Sequence, residues 1–501
     1  MNLRSVISAG GIVAVGMLAG RLLGLLREVT IATYFGASGQ ADAAIFLLLV
    51  PDFITNVFIA SAGSAALIPA FAARTPQRAI VLFWQTLCVS MLVFIVLGLV
   101  VFSQHGWIAG LFASDNAVPN LQNALFFTLL SLPFMAATWV FTAWLQYRGR
   151  FVAPAFANAL FNSVLLCTLW FAPTGILVLA IGSFVATLLR LAAHVFAFMR
   201  AGERLRQAAS LVKQNCEINR DFATAYLQTA LTGILEMLPL YAPYFIVAVG
   251  AGGLALFNYA FKLALLCAGL LQTVIQTVIL PLFVRHHNRN EPHLREKMYS
   301  LSLHLGFVFG VSIALAVSLA AEPIAALCFG HGKMSAENVS EIASLLRLGV
   351  WSTPFAVLSC LWQQMLYAGH RAKSAMMVSL IVTASLLPLY WLGLTMQGAY
   401  GVMIAYLVIR MLHLAVIVKL GKPGAVSAAL LPGREYPLSA GAMLGVFAVL
   451  AWLYKACLPG FSDNAKVLAA MVIGGAVLAA GLWAHKEIRH MLRFKTVEFE
   501  V

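Results

Sequence analysis

Residues 80–103 read IVLFWQTLCVSMLVFIVLGLVVFS, with no charged side chain anywhere in the run. A helix rises about 1.5 Å per residue, so this stretch alone is long enough to cross the roughly 30 Å hydrocarbon core of a bilayer. Comparable apolar runs lie at 156–189 and 439–454. In lipid every backbone N–H and C=O must be satisfied internally, which leaves helices or a closed barrel. A barrel would show short segments of alternating polarity, and none appear. The chain is 62% hydrophobic and 10% charged, against about a quarter charged in soluble domains. The expected fold class is therefore an all-α integral membrane protein.

Breaking the sequence at its polar gaps predicts fourteen spans. They lie near 6–33, 42–71, 79–103, 122–146, 152–172, 176–199, 222–248, 252–283, 299–320, 342–368, 375–395, 398–418, 437–457 and 464–484. Basic residues concentrate in cytoplasmic loops, which tests the count. With the N-terminus inside, only Lys333, Lys455 and Lys466 of the 32 Lys and Arg residues fall in outer loops. A wrong span number would scramble that alternation beyond the error, yet it stays in phase to the C-terminus. Both termini are thus expected in the cytoplasm.

Two longer inner loops, 200–221 and 284–298, interrupt the chain near its middle. The first has basic residues at surface-helix spacing, which suits the anionic inner leaflet. This divides the chain into an N-terminal lobe at 1–199 (spans one to six), an amphipathic linker at 200–221 and a C-terminal lobe at 222–420 (spans seven to twelve). Residues 421–501 add two further spans and a basic cytoplasmic tail.

A few charges remain inside or at the ends of spans: Arg21, Arg27, Arg190, Lys262, Arg347 and Arg410, with Glu28, Asp42, Asp52 and Glu236. A charge at a helix centre costs roughly 2.5–3.5 kcal/mol on insertion scales, so such side chains face protein or water. Arg21 and Glu28 are seven residues apart and share a helix face. Arg27 and Glu28 could form a structural pair while Arg21 snorkels; alternatively these cations line a wet cavity suited to an anionic substrate. Gly20 and Gly24 would admit a close neighbour. Asp42 fits either a helix-end charge or a coupling site. Glu236 fits either a cation or proton site or a structural hydrogen bond. Arg190 and Arg410 read as structural.

Catalytic motifs are wanting. GHGKMS (330–335) lacks the first glycine of a phosphate loop and has Met334 at the magnesium-binding position. His286, His287 and His293 sit in a basic loop with no acid cluster, and the seven cysteines show no C-x-x-C spacing, so no metal site or cofactor is expected. No G-x-S-x-G elbow occurs. The expectation is a transporter rather than an enzyme, with no role in nucleic-acid binding.

Several stretches together resemble the MurJ/MviN lipid II flippase family of the multidrug/oligosaccharidyl-lipid/polysaccharide (MOP) exporter superfamily. GRLLGLLREVTIATYFGASGQADA is similar to its first-helix motif. LVPDFITNVFIASAGSAALIPAF, QYRGRFVAPAFANALFN, YAFKLALLCAGLLQTVIQTVILP, AEPIAALCFGHGKM and LYAGHRAKSAMM follow in the family's order across roughly 1–420. The resemblance implies two lobes in a V and a bacterial inner-membrane location. It also implies alternating access that carries an undecaprenyl-diphosphate-linked saccharide from the inner to the outer leaflet. Arg21, Arg27, Glu28 and Lys262 would bind substrate; Asp42, Glu236 and Lys373 are the coupling or gating candidates, with the coupling cation left open. The second helix departs from the family pattern, carrying Thr55, Asn56 and Ala60 where lipid II flippases have an Arg-Arg pair and a Glu. That leaves an exopolysaccharide or O-antigen repeat unit as the alternative cargo, and a small-molecule antiporter as a more distant one.

Overall fold

The computed structural model describes the chain except residues 1–2, 57–60, 112–117, 172–174, 201–215, 251–252, 276–278, 280–282, 284–291, 370, 421–434 and 486–501. The expected amphipathic linker, the basic tail, Ala60, His286 and His287 therefore lie outside, or almost wholly outside, the described residues. Every regular element described is helical, as lipid requires.

Two compact units divide at Ala255/Leu256. The first contains α1 (Leu3–Phe35), α2 (Gly39–Thr55), α3 (Ser61–Ala72), α4 (Pro76–Ser103), α5 (His105–Gly110), α6 (Leu121–Leu130), α7 (Leu132–Tyr147), α8 (Val152–Phe171), α9 (Ile176–Arg200) and α10 (Arg220–Gly250). The second begins within α11 (Leu254–Val274). It continues through α12 (Pro292–Leu319), α13 (Ala321–Phe329), α14 (Ala336–Gly349), α15 (Ser352–Ala368), α16 (Ala372–Leu420), α17 (Glu435–Cys457) and α18 (Asp463–Ala484).

Eleven stretches are long and apolar enough to cross a membrane. One of them, in α16, is two helices across a break at Gln397 and Gly398, where Gly398 has φ +57°. That conformation is cheap only for glycine. Counting both halves makes twelve; α1 and the helices α2 and α3 occupy the stretches where the sequence reading places its first two spans.

Helix ends follow local chemistry. Gly36, at φ +67°, ends α1, and its amide donates to the Ala32 carbonyl at 2.8 Å. The Ser38 hydroxyl then accepts from the Ala41 amide at 3.3 Å to start α2.

The core of the first unit is aromatic. Phe71, Phe83, Phe141, Trp144 and Phe198 are buried together, with Phe83 and Phe198 stacked at 5.3 Å. Such rings combine large buried area with favourable edge and offset contacts. By contrast α4 leaves Leu92, Val96 and Leu99 exposed along one face, as a lipid-facing helix should.

The seventh span, α10, packs against α3 and belongs to the first unit. The sequence reading placed the division before it, at 200–221. Arg74 pins the chain entering α10, pairing with Glu217 at 3.1 Å, while the Glu217 amide donates to Gln85 Oε1 at 2.8 Å. In the second unit, α17 and α18 pack on α12 around Val308, Leu315, Met443, Ile473 and Val477. The Ser439 hydroxyl, buried at this joint, donates to the Gly481 carbonyl and lies 3.2 Å from His304 Nε2.

Candidate functional site: the charged first span

The candidate site in the first unit grows from close packing of α1 on α8. Gly16, Gly20 and Gly24 form a stripe at four-residue spacing, which lies along one helix face. A Cβ on Gly16 would stand 2.5 Å from the Ala155 carbonyl oxygen, and one on Gly20 3.1 Å from Asn158 Cβ. On Gly24 it would meet Asn162 Nδ2 at 3.3 Å. The absence of side chains lets the backbones approach, as small-residue stripes do in membrane bundles.

That approach brings Asn162 against the charged end of the stripe. Arg27 Nη1 donates to Asn162 Oδ1 at 2.9 Å, and Arg27 Nη2 donates to Glu28 Oε1 at 2.6 Å. Asn162 Nδ2 in turn donates to the Gly20 carbonyl at 3.0 Å. The pair is internal, with side-chain exposures of 12% for Arg27 and 1% for Glu28. Arg27 Nε is buried with no hydrogen-bond partner. The structural pairing of Arg27 with Glu28 is thus present. Arg21 stands differently: it is half-buried on the same helix, and no described residue accepts a hydrogen bond from it. A guanidinium presents five donors in a planar fork that matches phosphate oxygens. Of the described cations of this span, Arg27 has side-chain partners in the protein and Arg21 has none among the described residues.

A second polar centre in the same unit joins α2 to α10. The Tyr241 hydroxyl donates to Asp52 Oδ2 at 2.9 Å, and Asn56 Nδ2 donates to Asp52 Oδ1 at 3.1 Å and lies 2.9 Å from the Tyr241 oxygen. Phe53 packs on Tyr241 and Phe245 at 5.3 and 5.1 Å. Asn56, one of the residues standing where the family carries arginine, is therefore committed to a neutral hydrogen-bond network beside Asp52. Sequence reasoning noticed Asp52 and Asn56 but not Tyr241, and gave Asn162 no role. The available signal for Asn162 was its place at the end of the RFVAPAFANALFN motif.

Asp42 lies in the first turn of α2 and accepts the Ala255 amide at 2.6 Å. Its carboxylate thereby caps the start of α11 as well as complementing its own helix N-terminus. Glu236 is half-buried on α10 and engaged with neighbours. In the second unit Lys262 is half-buried on α11 and also engaged, while Lys373 is exposed in the first turn of α16. Arg21, Arg27, Glu28, Asn162 and the Asp52 centre thus belong to the first unit; Lys262 and Lys373 belong to the second. Among the described residues no group of three or more His, Cys, Asp and Glu side chains gathers as a metal site.

The architecture is that of a polytopic, all-helical membrane protein. A structure described as "Lipid II flippase MurJ, inward closed conformation" superposes with a TM-score of 0.80 at 17% identity, over 96% of this chain and 99% of that one. An inward-facing multidrug resistance MATE family transporter of the MOP superfamily gives 0.67 at 14% identity, over 83% and 98%. The family model described as "Lipid II flippase MurJ" matches residues 31–463, and the chain belongs to that family. The match begins just beyond Arg21, Arg27 and Glu28.

Among curated relatives, the "Probable lipid II flippase MurJ" of Bdellovibrio bacteriovorus is 25% identical over 469 residues, 88% of this chain and 87% of that protein. Its namesake in Haemophilus influenzae is 23% identical over 82% and 86% of the two chains. The "Lipid II flippase MurJ" of Burkholderia cenocepacia is 24% identical over 66% and 67%.

Proposed function

We propose that this chain is a lipid II-type flippase. It carries a polyprenyl-diphosphate-linked saccharide from the inner to the outer leaflet of the bacterial cytoplasmic membrane, for peptidoglycan synthesis. Family membership along most of the chain supports the class of cargo. The observation that carries the mechanism is Arg21, a half-buried guanidinium in the first span with no acceptor among the described residues. Leaving such a donor set unsatisfied in a membrane protein is costly, and an anionic headgroup relieves that cost.

In this reading Arg21 takes a diphosphate oxygen, and Lys262 remains a separate substrate-binding candidate to test on the second unit. Arg27 is held by Glu28 and Asn162, so its role is to fix α1 against α8. No covalent bond is made or broken, and the site needs no general acid or base. Both termini lie in the cytoplasm, which follows from the distribution of Lys and Arg. Asp42, Glu236 and Lys373 remain the coupling or gating residues to test, Asp42 through its hold on the Ala255 amide.

The deciding experiment is complementation of a bacterium depleted of its own lipid II flippase. Growth rescue is expected from the wild-type chain. Failure to rescue, despite verified insertion in the membrane, would overturn lipid II as cargo and turn attention to other saccharides on the same carrier.

A further inference from the structure

A cleft of about 840 Å³ opens between α8 and α9, with Ile12 of α1 also in its lining. Ala155, Asn158 and Asn162 face α1, whereas Phe156, Ala157 and Leu160 line the cleft. At about 100° per residue these are roughly opposite faces of one helix. None of Arg21, Arg27, Glu28 and Asn162 lines the cleft, which is thus separate from the Arg21–Arg27 centre.

Its polar lining is strongly cationic. Arg150, Arg190 and Arg200 contribute to it together with His194, and no acidic residue lines it. Arg150 and Arg200 are exposed at the helix ends, while Arg190 is only 7% exposed. Arg190 Nε is buried with no hydrogen-bond partner, and no described residue accepts from that guanidinium. Its carbon instead stands 5.3 Å from the Phe161 ring centroid, a cation–π contact that leaves the in-plane donors free. Asp52, an acid whose charge acts on it, already accepts from Tyr241 and Asn56. A buried arginine without an acceptor is an anomaly that an anion resolves.

The rim identifies the kind of anion. Val152, Phe156 and Phe196, all lining residues, are large apolar side chains exposed at the unit's surface. A soluble anion gains nothing from such a rim, whereas an amphiphile places its phosphate on the arginines and its chains along the apolar edge. Basic pockets between helices at the cytoplasmic side of membrane proteins suit anionic headgroups. Arg150 and Arg200 belong to the inner segments of the charge pattern.

We propose that this cleft binds the phosphodiester of an anionic glycerophospholipid of the inner leaflet, with Arg190 as the deep anchor and Arg150 and Arg200 at the mouth. The site is a resident-lipid site distinct from the cargo path, and it stands whether or not the cargo is lipid II.

Native mass spectrometry of the full chain, released from neutral detergent with phosphatidylglycerol or phosphatidylcholine of matched acyl chains, tests this. Wild type is expected to retain phosphatidylglycerol and not phosphatidylcholine. Arg190→Gln should lower that retention at least about tenfold, and Arg200→Gln should lower it in a position that does not burden folding. Equal retention of the two lipids, or unchanged retention in Arg200→Gln and Arg150→Gln, would overturn the proposal. Displacement of phosphatidylglycerol by millimolar inorganic phosphate would overturn the lipid source, and one-for-one displacement by undecaprenyl diphosphate would assign the cleft to the cargo instead.

Discussion

Arg27 and Asn162 meet at 2.9 Å across the α1–α8 interface, and this contact ties the charged first span to the fifth. The same guanidinium holds Glu28 at 2.6 Å, so one side chain joins a buried ion pair to an interhelical hydrogen bond. The arrangement separates two kinds of cation in one helix: Arg27 is committed to the protein and Arg21 is not.

Glu28→Gln should therefore destabilise the fold rather than tune transport. Removing one partner of a buried pair costs about 3–5 kcal/mol, because the other charge is left uncompensated. Thermal unfolding in detergent, followed by size-exclusion chromatography, should show a large fall for Glu28→Gln. Combining it with Arg27→Gln should recover part of that loss. A double variant no more stable than Glu28→Gln alone would contradict the pairing.

Arg21→Ala has the opposite signature. Because no described residue accepts from Arg21, its loss should change stability by less than about 0.5 kcal/mol, as at sites away from packing and networks. Transport should nevertheless be abolished, with Arg21→Lys retaining a part of it. Complementation scored alongside membrane protein level separates the two effects, and normal rescue by Arg21→Ala would remove the residue from the substrate path.

The glycine stripe makes a steric prediction. Gly16→Val forces a side chain to within 2.5 Å of the Ala155 carbonyl, and backbone cannot give way cheaply. Overpacking of this kind costs about 1–3 kcal/mol. Gly11→Val, five residues earlier on the same helix, meets nothing within 4 Å and should be nearly silent. Comparable yields of folded protein from the two variants would argue against close α1–α8 packing.

Asp52 and Tyr241 should be energetically coupled. A double-mutant cycle of Asp52→Asn and Tyr241→Phe is expected to give a coupling of roughly 0.6–1.7 kcal/mol, the range for interhelical hydrogen bonds in membranes. Additive losses in unfolding temperature would mean that the 2.9 Å contact contributes nothing to joining α2 and α10.

Some of the site could be read without coordinates. Arg21, Arg27 and Glu28 stand out because a charge in an apolar run is conspicuous, and Gly20 and Gly24 announce close packing by their spacing. The motif ending at Asn162 marked the residue but not its partner, since Asn158 faces the same helix without bonding Arg27. Arg190 read as structural because a single buried arginine gives no hint of whether an acceptor awaits it. Its unsatisfied Nε and the cleft beside it exist only in three dimensions. Likewise Asp42 fitted two roles until the Ala255 amide was found 2.6 Å from its carboxylate.

The sequence by itself determined the helical class, the span count and the identity of the stranded charges. Lipid cannot hydrogen-bond a backbone, so apolar run length dictates helices, and the cost of a charge in hydrocarbon makes each exception visible. Only the tertiary structure decided which of those charges are satisfied. It gave α10 to the first unit, closed Arg27 onto Glu28 and Asn162, and left Arg21 and Arg190 without acceptors among the described residues. Partner choice depends on side chains far apart in the chain and within about 3 Å in space, and spacing along one helix carries no record of what the neighbouring helix presents.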